Sequence, residues 1–177
     1  MRTLIVGGVR SGKRRRALQL ARPHGTNVVF LAPTRPDDEA ARVRIERDRS
    51  DRRSGWTTVE VGTALGGALA AAAPSGCVVI EGLTRWLATL VCATAPAALE
   101  REIDALIEAV AGAPGDVVLV AEETGPEALP DDALARRFND VAGTLHRRLA
   151  EVCERVEWTV AGLAVVLKPL RSGGVPR

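Results

Sequence analysis

The chain contains no tyrosine, and aromatic residues make up only 3% of its 177 residues. Proteins that hold single-stranded nucleic acid stack bases on aromatic rings, so no nucleic-acid partner is expected. Charge points the same way: 24 basic against 22 acidic residues leave a net +2, too little for general polyanion binding. No apolar run reaches the roughly 18 residues that a membrane-crossing helix needs. The alanine-rich stretch from Ala64 to Ala73 is short and interrupted by glycine. No signal-peptide pattern is read, and the expectation is a soluble, cytoplasmic protein. Histidine is scarce: His24 and His146 lie far apart, without metal-ligand partners at a suitable spacing. His146, followed by Arg147 and Arg148, is expected at the surface, and neither histidine is a candidate base. The three cysteines, Cys77, Cys92 and Cys153, are an odd number without metal-ligand spacing, and are read as buried, reduced thiols.

What the chain does have is short apolar runs alternating with helical patterns. This is the rhythm of a parallel sheet with crossover helices. Strands are expected at Leu4–Gly7, Asn27–Ala32, Cys77–Glu81, Val117–Ala121 and Val156–Val160, nearly all apolar as befits strands covered on both faces. Ala164–Lys168 is expected to fold back through Ala161-Gly162 as a C-terminal hairpin, and Thr57–Val61 to add a short edge strand. Helices are expected at Lys13–Ala21, Asp38–Arg53, Ala64–Ala73, Leu83–Ala93, Ala97–Ala111 and Asp132–Glu154. Residues 1–170 are expected to form one domain, with residues 171–177 a flexible tail. Trp86 and Trp158 read as core residues, and Trp56, beside Gly55, as a partly exposed cover over a pocket.

Residues 3–17, TLIVGGVRSGKRRRA, carry the chemistry. An apolar strand ends at a glycine turn and opens into a helix, with Gly7, four intervening residues, then Gly12-Lys13. That is the spacing of a phosphate-binding loop. Its glycines let backbone N–H groups turn inward around phosphate oxygens. The lysine adds charge, and the helix N-terminus favours an anion. Gly7, Gly8, Val9, Arg10, Ser11, Gly12, Lys13 and Arg14 are therefore the candidate nucleotide-binding residues. Position 14, where Ser or Thr would hold Mg²⁺, is arginine. Glu81 closes a buried strand, where P-loop proteins place a carboxylate that reaches Mg²⁺ directly or through water. It is the candidate metal residue and, with Lys13, a candidate catalytic residue. Glu122-Glu123 follows another strand and is expected near the same sheet edge. Between Arg35 and Arg53 lie seven arginines and six acids. Arg44, Asp48 and Arg52 share one helical face, a pattern that ion pairing on a solvated helix explains.

These segments together resemble the bifunctional adenosylcobinamide kinase / adenosylcobinamide-phosphate guanylyltransferase family of cobalamin biosynthesis. The resemblance spans about residues 3 to 168. It rests on GGVRSGK, the DDEAARVRIERDR helix followed by GWTTVE, VVIEGLTRWLATL, VVLVAEETGPEALP, ALARRFNDVAGTLHRRLAE and VAGLAVVLK, in that order. It implies a RecA-like P-loop NTPase fold, an α/β architecture whose mostly parallel sheet carries helices on both faces. It also implies a propeller-shaped homo-trimer, ATP or GTP as substrate with Mg²⁺, and a corrinoid acceptor. Members phosphorylate the aminopropanol arm of adenosylcobinamide, then transfer GMP from GTP to that phosphate through a guanylylated histidine.

The chain departs from that pattern at four places. The family's Gly-Lys-Ser is Gly12-Lys13-Arg14, and Asp48 stands where the resemblance places the guanylylated histidine. The Asn-Glu-Val-Gly element is Glu122-Glu123-Thr124-Gly125, and the asparagine of Leu-Asn-Gln-Arg-Leu is His146. A carboxylate at position 48 must approach an anionic phosphate and form a mixed anhydride, so relay through Asp48 is not expected. Arg14 removes a hydroxyl ligand and adds a fixed cation, so a reduced dependence on Mg²⁺ is expected. The alternatives are a catalytically silent nucleotide- or corrinoid-binding subunit, and a kinase or nucleotidyltransferase acting on another small molecule.

Overall fold

The computed structural model describes residues 1–33, 55–72, 76–123 and 132–169. Within them the apolar runs form β1 (Arg2–Gly7), β2 (Val28–Ala32), β3 (Thr57–Glu60), β4 (Cys77–Glu81), β5 (Asp116–Glu122), β6 (Arg155–Val160) and β7 (Leu163–Lys168). The helical patterns form α1 (Lys13–Ala21), α2 (Leu65–Ala72), α3 (Leu83–Ala93), α4 (Pro96–Gly112) and α5 (Ala133–Val152), with a 3₁₀ turn at Arg22–His24. All seven strands join one sheet in the order β3-β2-β4-β5-β1-β6-β7. Every pair is parallel except β6 with β7, the C-terminal hairpin.

Successive strand residues point to opposite faces, and both faces of this sheet are covered. Leu4, Val78, Ile80, Val117 and Leu119 meet Leu65, Leu69, Trp86, Leu90, Leu106, Leu145 and Leu149 from α2 to α5. On the other face Ile5, Val79, Val118 and Val120 pack with Phe30 and with Ala17 and Ala21 of α1. Two-sided burial is why these strands read as unbroken apolar runs. Helix α2 is built of glycine, alanine and leucine because it lies close against α4: a side chain on Gly66 would collide with the backbone of Ala105.

Three expectations about individual side chains, those for Trp158, His146 and Cys92, are corrected. Trp158 is 39% exposed, not core. On β6 it shares a face with Val156, and that face runs out past the end of the core. Trp56 stacks on Phe30 at 5.4 Å between ring centroids and donates its indole N–H to the Gly25 carbonyl at 2.6 Å. It is half-buried, as expected, and packs against the core on the α1 face. His146 is half-buried, with its pKa pushed below the ordinary value by burial and pulled back by the Glu123 carboxylate. Cys92 is exposed, whereas Cys77 and Cys153 are buried, their thiols pushed up to about 12 mainly by desolvation. The helix expected at Asp38–Arg53 and the tail from 171 to 177 lie outside the described residues.

Candidate functional site

Parallel strands deliver their carboxyl ends to one edge of a sheet, where a crevice opens between diverging connections. Here β1 sits beside β5, and β5 beside β4. Gly7 pairs with Glu122 and Glu81 with Val120, so three strand ends meet. Above them lies a cleft with a volume of about 370 Å³. Its walls are residues 10–14 of the glycine loop, residues 81, 82, 84 and 85 after β4, and residues 120–122 of β5.

The loop adopts the geometry its glycines permit. Gly12 has φ +100° and Arg10 has φ +55°. The left-handed region costs a side-chain-bearing residue about 1–2 kcal/mol, and such strain concentrates at functional sites. Gly12 caps α1 without a side-chain hydrogen bond, which leaves the first helical N–H groups and the positive end of the dipole facing the cleft, an arrangement that suits an anion. Lys13 is 8% exposed, and its ammonium donates to the Gly8 carbonyl at 2.7 Å. Burial pushes its pKa down, while Glu122 and Glu81 pull it back up.

The opposite wall is charged as well. Arg14 Nη1 donates to both carboxylate oxygens of Glu81, at 3.1 and 3.2 Å. Arg85 lies over the turn at Gly82, where an added Cβ would come within 2.9 Å of its Nη2. Thr84 Oγ1 accepts the Glu122 backbone N–H at 2.8 Å, tying this turn to the end of β5.

The hairpin clamps the loop from the side. Ala161 and Gly162 both have positive φ, 50° and 81°, the pattern of a tight two-residue hairpin turn. The Gly162 N–H donates to the Ser11 carbonyl at 2.9 Å. Thr159 Oγ1 donates to the Val6 carbonyl and lies 2.9 Å from Ser11 Oγ. With its single proton so committed, Thr159 accepts from Ser11. Behind the loop, buried Glu157 accepts from Arg16 Nε at 2.7 Å, Arg16 Nη2 at 2.8 Å and Arg155 Nε at 2.6 Å. Burial pushes the Glu157 pKa up, but the two guanidinium groups outweigh it and hold the carboxyl below its ordinary value. Helix α1 is thereby fastened to β6.

A protein-held Mg²⁺ does not fit this set of side chains. Both oxygens of Glu81 already accept from Arg14, the Ser11 hydroxyl is engaged with Thr159, and residue 14 offers a cation. Among the described residues no three His, Cys, Asp or Glu side chains are grouped to hold a metal ion.

The cleft thus gathers Arg10, Ser11, Gly12, Lys13, Arg14, Glu81 and Glu122 from the sequence expectations. Gly7 and Gly8 belong to the same loop, while Val9 is 79% exposed and faces away from any core. Glu123 is outside the lining; its N–H donates to the Gly7 carbonyl at 3.0 Å. Asp48, Thr124 and Gly125 lie outside the described residues. Sequence reasoning missed Thr84 and Arg85, and the role of Thr159 and Gly162. The signal for the first pair was the glycine directly after Glu81, which turns a helix start back over the strand end. For the second pair it was the polar alternation of Arg155, Glu157 and Thr159 with Val156, Trp158 and Val160 along β6.

A parallel sheet with a glycine-lysine loop at the end of a central strand, opening into a helix, defines a P-loop protein of the α/β class. Residues 3–167 match the family model described as cobinamide kinase / cobinamide phosphate guanyltransferase. The chain belongs to that family, and so to cobalamin biosynthesis. It is 42% identical over 169 residues to the bifunctional adenosylcobalamin biosynthesis protein CobP of Pseudomonas aeruginosa, covering 95% of this chain and 98% of the relative. It is 33% identical over 182 residues to the bifunctional adenosylcobalamin biosynthesis protein CobU of Salmonella typhimurium, and 32% identical to that of Escherichia coli. Each of these alignments covers 95% of this chain and 100% of the relative.

Proposed function

We propose that the cleft binds the phosphates of ATP or GTP and that the chain phosphorylates a corrinoid alcohol of the adenosylcobinamide type. Lys13 and the backbone of residues 8–14 hold the phosphates, with Arg10 and Ser11 lining the loop. The observation that carries this reading is the buried Lys13 ammonium on the Gly8 carbonyl, inside a left-handed glycine loop at a helix N-terminus. A lysine so placed exchanges a neutral carbonyl for a charged phosphate oxygen, a stronger partner. Catalysis then rests on positioning and on charge stabilisation of the transferring phosphoryl group. Guanylyl transfer through a covalent enzyme is absent from this reading, because Asp48 occupies the relay position. Incubation with radiolabelled nucleotide and adenosylcobinamide tests the kinase. Phosphorylated corrinoid without a labelled protein is the expected result, and no corrinoid phosphate from an enzyme that binds nucleotide would reject it.

A second reading, a nucleotide-binding subunit without turnover, is favoured by the loss of both the relay histidine and the metal-ligating hydroxyl at position 14. The same incubation separates the two. The assembly in this reading is a cytoplasmic homo-trimer. What supports the trimer is the family, together with the exposed apolar side chains of Trp158, Val160, Leu163, Val165, Val166 and Leu167 on the hairpin. Such a patch marks an interaction surface. No helix of the described residues is long and apolar enough to cross a membrane. Light scattering at micromolar concentration tests the trimer, and a monomer of 18.7 kDa would refute it.

A further inference from the structure

We propose that Arg14, anchored on Glu81, replaces a divalent cation as the counter-charge for the polyphosphate, so that nucleotide binds this cleft without metal. This rests on the nucleotide reading above. Three observations carry it. Arg14 Nη1 bridges both oxygens of the carboxylate that closes β4. That carboxylate is where a metal would be organised, and its charge is already matched by a guanidinium. Next, the cleft wall sets four basic side chains, Arg10, Lys13, Arg14 and Arg85, against two acidic ones, Glu81 and Glu122. Among the described residues the wall is therefore net cationic before any metal enters, and a cleft with an excess of positive charge focuses its field on an anion. Last, the one hydroxyl of the loop, that of Ser11, is committed to Thr159 on the hairpin.

A divalent cation brought between Glu81 and a phosphate would stand at contact range of the Arg14 guanidinium. Like-charge repulsion there opposes metal entry and favours the metal-free nucleotide. Arginine differs from lysine in this role: its planar fork presents several N–H donors, so one guanidinium can face a carboxylate and a phosphate together. Glu81 then acts as the anchor that holds Arg14 in the cleft, and also weakens its pull on phosphate.

The two roles open to Glu81 predict opposite signs for its removal. Calorimetric titration of ATP and of GTP, each in EDTA and in millimolar Mg²⁺, tests this on wild type, Arg14→Ser and Glu81→Gln. Wild-type affinity in EDTA is expected within about threefold of that in Mg²⁺. Arg14→Ser should bind about tenfold more weakly in EDTA, the effect of losing a charge-assisted contact, and regain affinity with Mg²⁺. Glu81→Gln should bind metal-free nucleotide more tightly than wild type. Binding by the wild type only in Mg²⁺, weakened further by Glu81→Gln, overturns the proposal and leaves the nucleotide reading standing. No binding by folded wild type under either condition overturns both.

Discussion

Replacing Glu157 by glutamine should weaken the fold by an amount that depends on pH in a defined direction. Glu157 is 0% exposed and receives three hydrogen bonds from Arg16 and Arg155. Glutamine keeps the shape but turns an amide N–H₂ toward guanidinium N–H groups, donor against donor. Breaking a buried ion pair costs about 3–5 kcal/mol. The arginines here are 26% and 23% exposed, so water recovers part of that, and a loss of about 2–3 kcal/mol follows. For a chain of this size that lowers the melting temperature by roughly 4–12 °C. The native pKa of Glu157 lies below its ordinary 4.5. Its stabilisation is therefore fully present above the unfolded pKa and lost as pH falls through the folded one. Urea unfolding of both proteins, followed by circular dichroism between pH 7 and pH 3, measures the gap. It should be constant near neutrality and shrink on acidification. A gap under about 0.5 kcal/mol at pH 7, or one that widens toward acid, refutes the reasoning.

Gly12→Ala places a side chain at φ +100° with its Cβ 3.1 Å from the Gly162 Cα. It should weaken nucleotide binding by at least about tenfold, from strain of about 1–2 kcal/mol and a displaced loop, as calorimetry would show. A thiol reagent should label Cys92 quickly in the native protein, and Cys77 and Cys153 only on unfolding, because burial holds both latter thiols near 12. Lys168 donates to the carbonyls of Ala150 at 2.7 Å, Glu151 at 3.2 Å and Cys153 at 2.6 Å, closing the end of α5. Lys168→Met should therefore cost about 1–2 kcal/mol in chemical unfolding.

Much of this architecture was legible because two-sided burial writes itself into sequence as apolar runs. Cys77–Glu81 matched its expected bounds, as did helices Lys13–Ala21 and Leu83–Ala93. The hairpin followed from Ala161-Gly162, and the edge strand expected at Thr57–Val61 forms at Thr57–Glu60. The placement of the glycine loop at the cleft was legible because its backbone geometry demands glycine at set positions, and that of Glu81 because a strand end is a fixed place in such a sheet. What escaped was which face each residue of β6 takes. Hydropathy puts Trp158 inside and Glu157 outside, and the fold does the reverse. The side of β6 that carries Glu157 faces Arg16 of α1, so a carboxylate serves there, while Trp158 on the other side is left partly exposed. Long-range pairs such as Arg14 with Glu81, or Ser11 with Thr159, leave no trace in local spacing. They arise only once the strand order sets β4 and β6 on either side of the β5–β1 pair.

The most direct measurement is a calorimetric titration of Lys13→Ala beside the wild type, with ATP and with GTP near neutral pH, after melting curves establish that both are folded. Lys13 is buried in the cleft lining, and the phosphate contact proposed for it would be charge-assisted. Its loss should weaken binding by at least about tenfold while leaving the melting temperature within a few degrees. Equal affinities for the wild type and a folded Lys13→Ala protein, or no nucleotide binding by the wild type, would contradict a phosphate site in this loop.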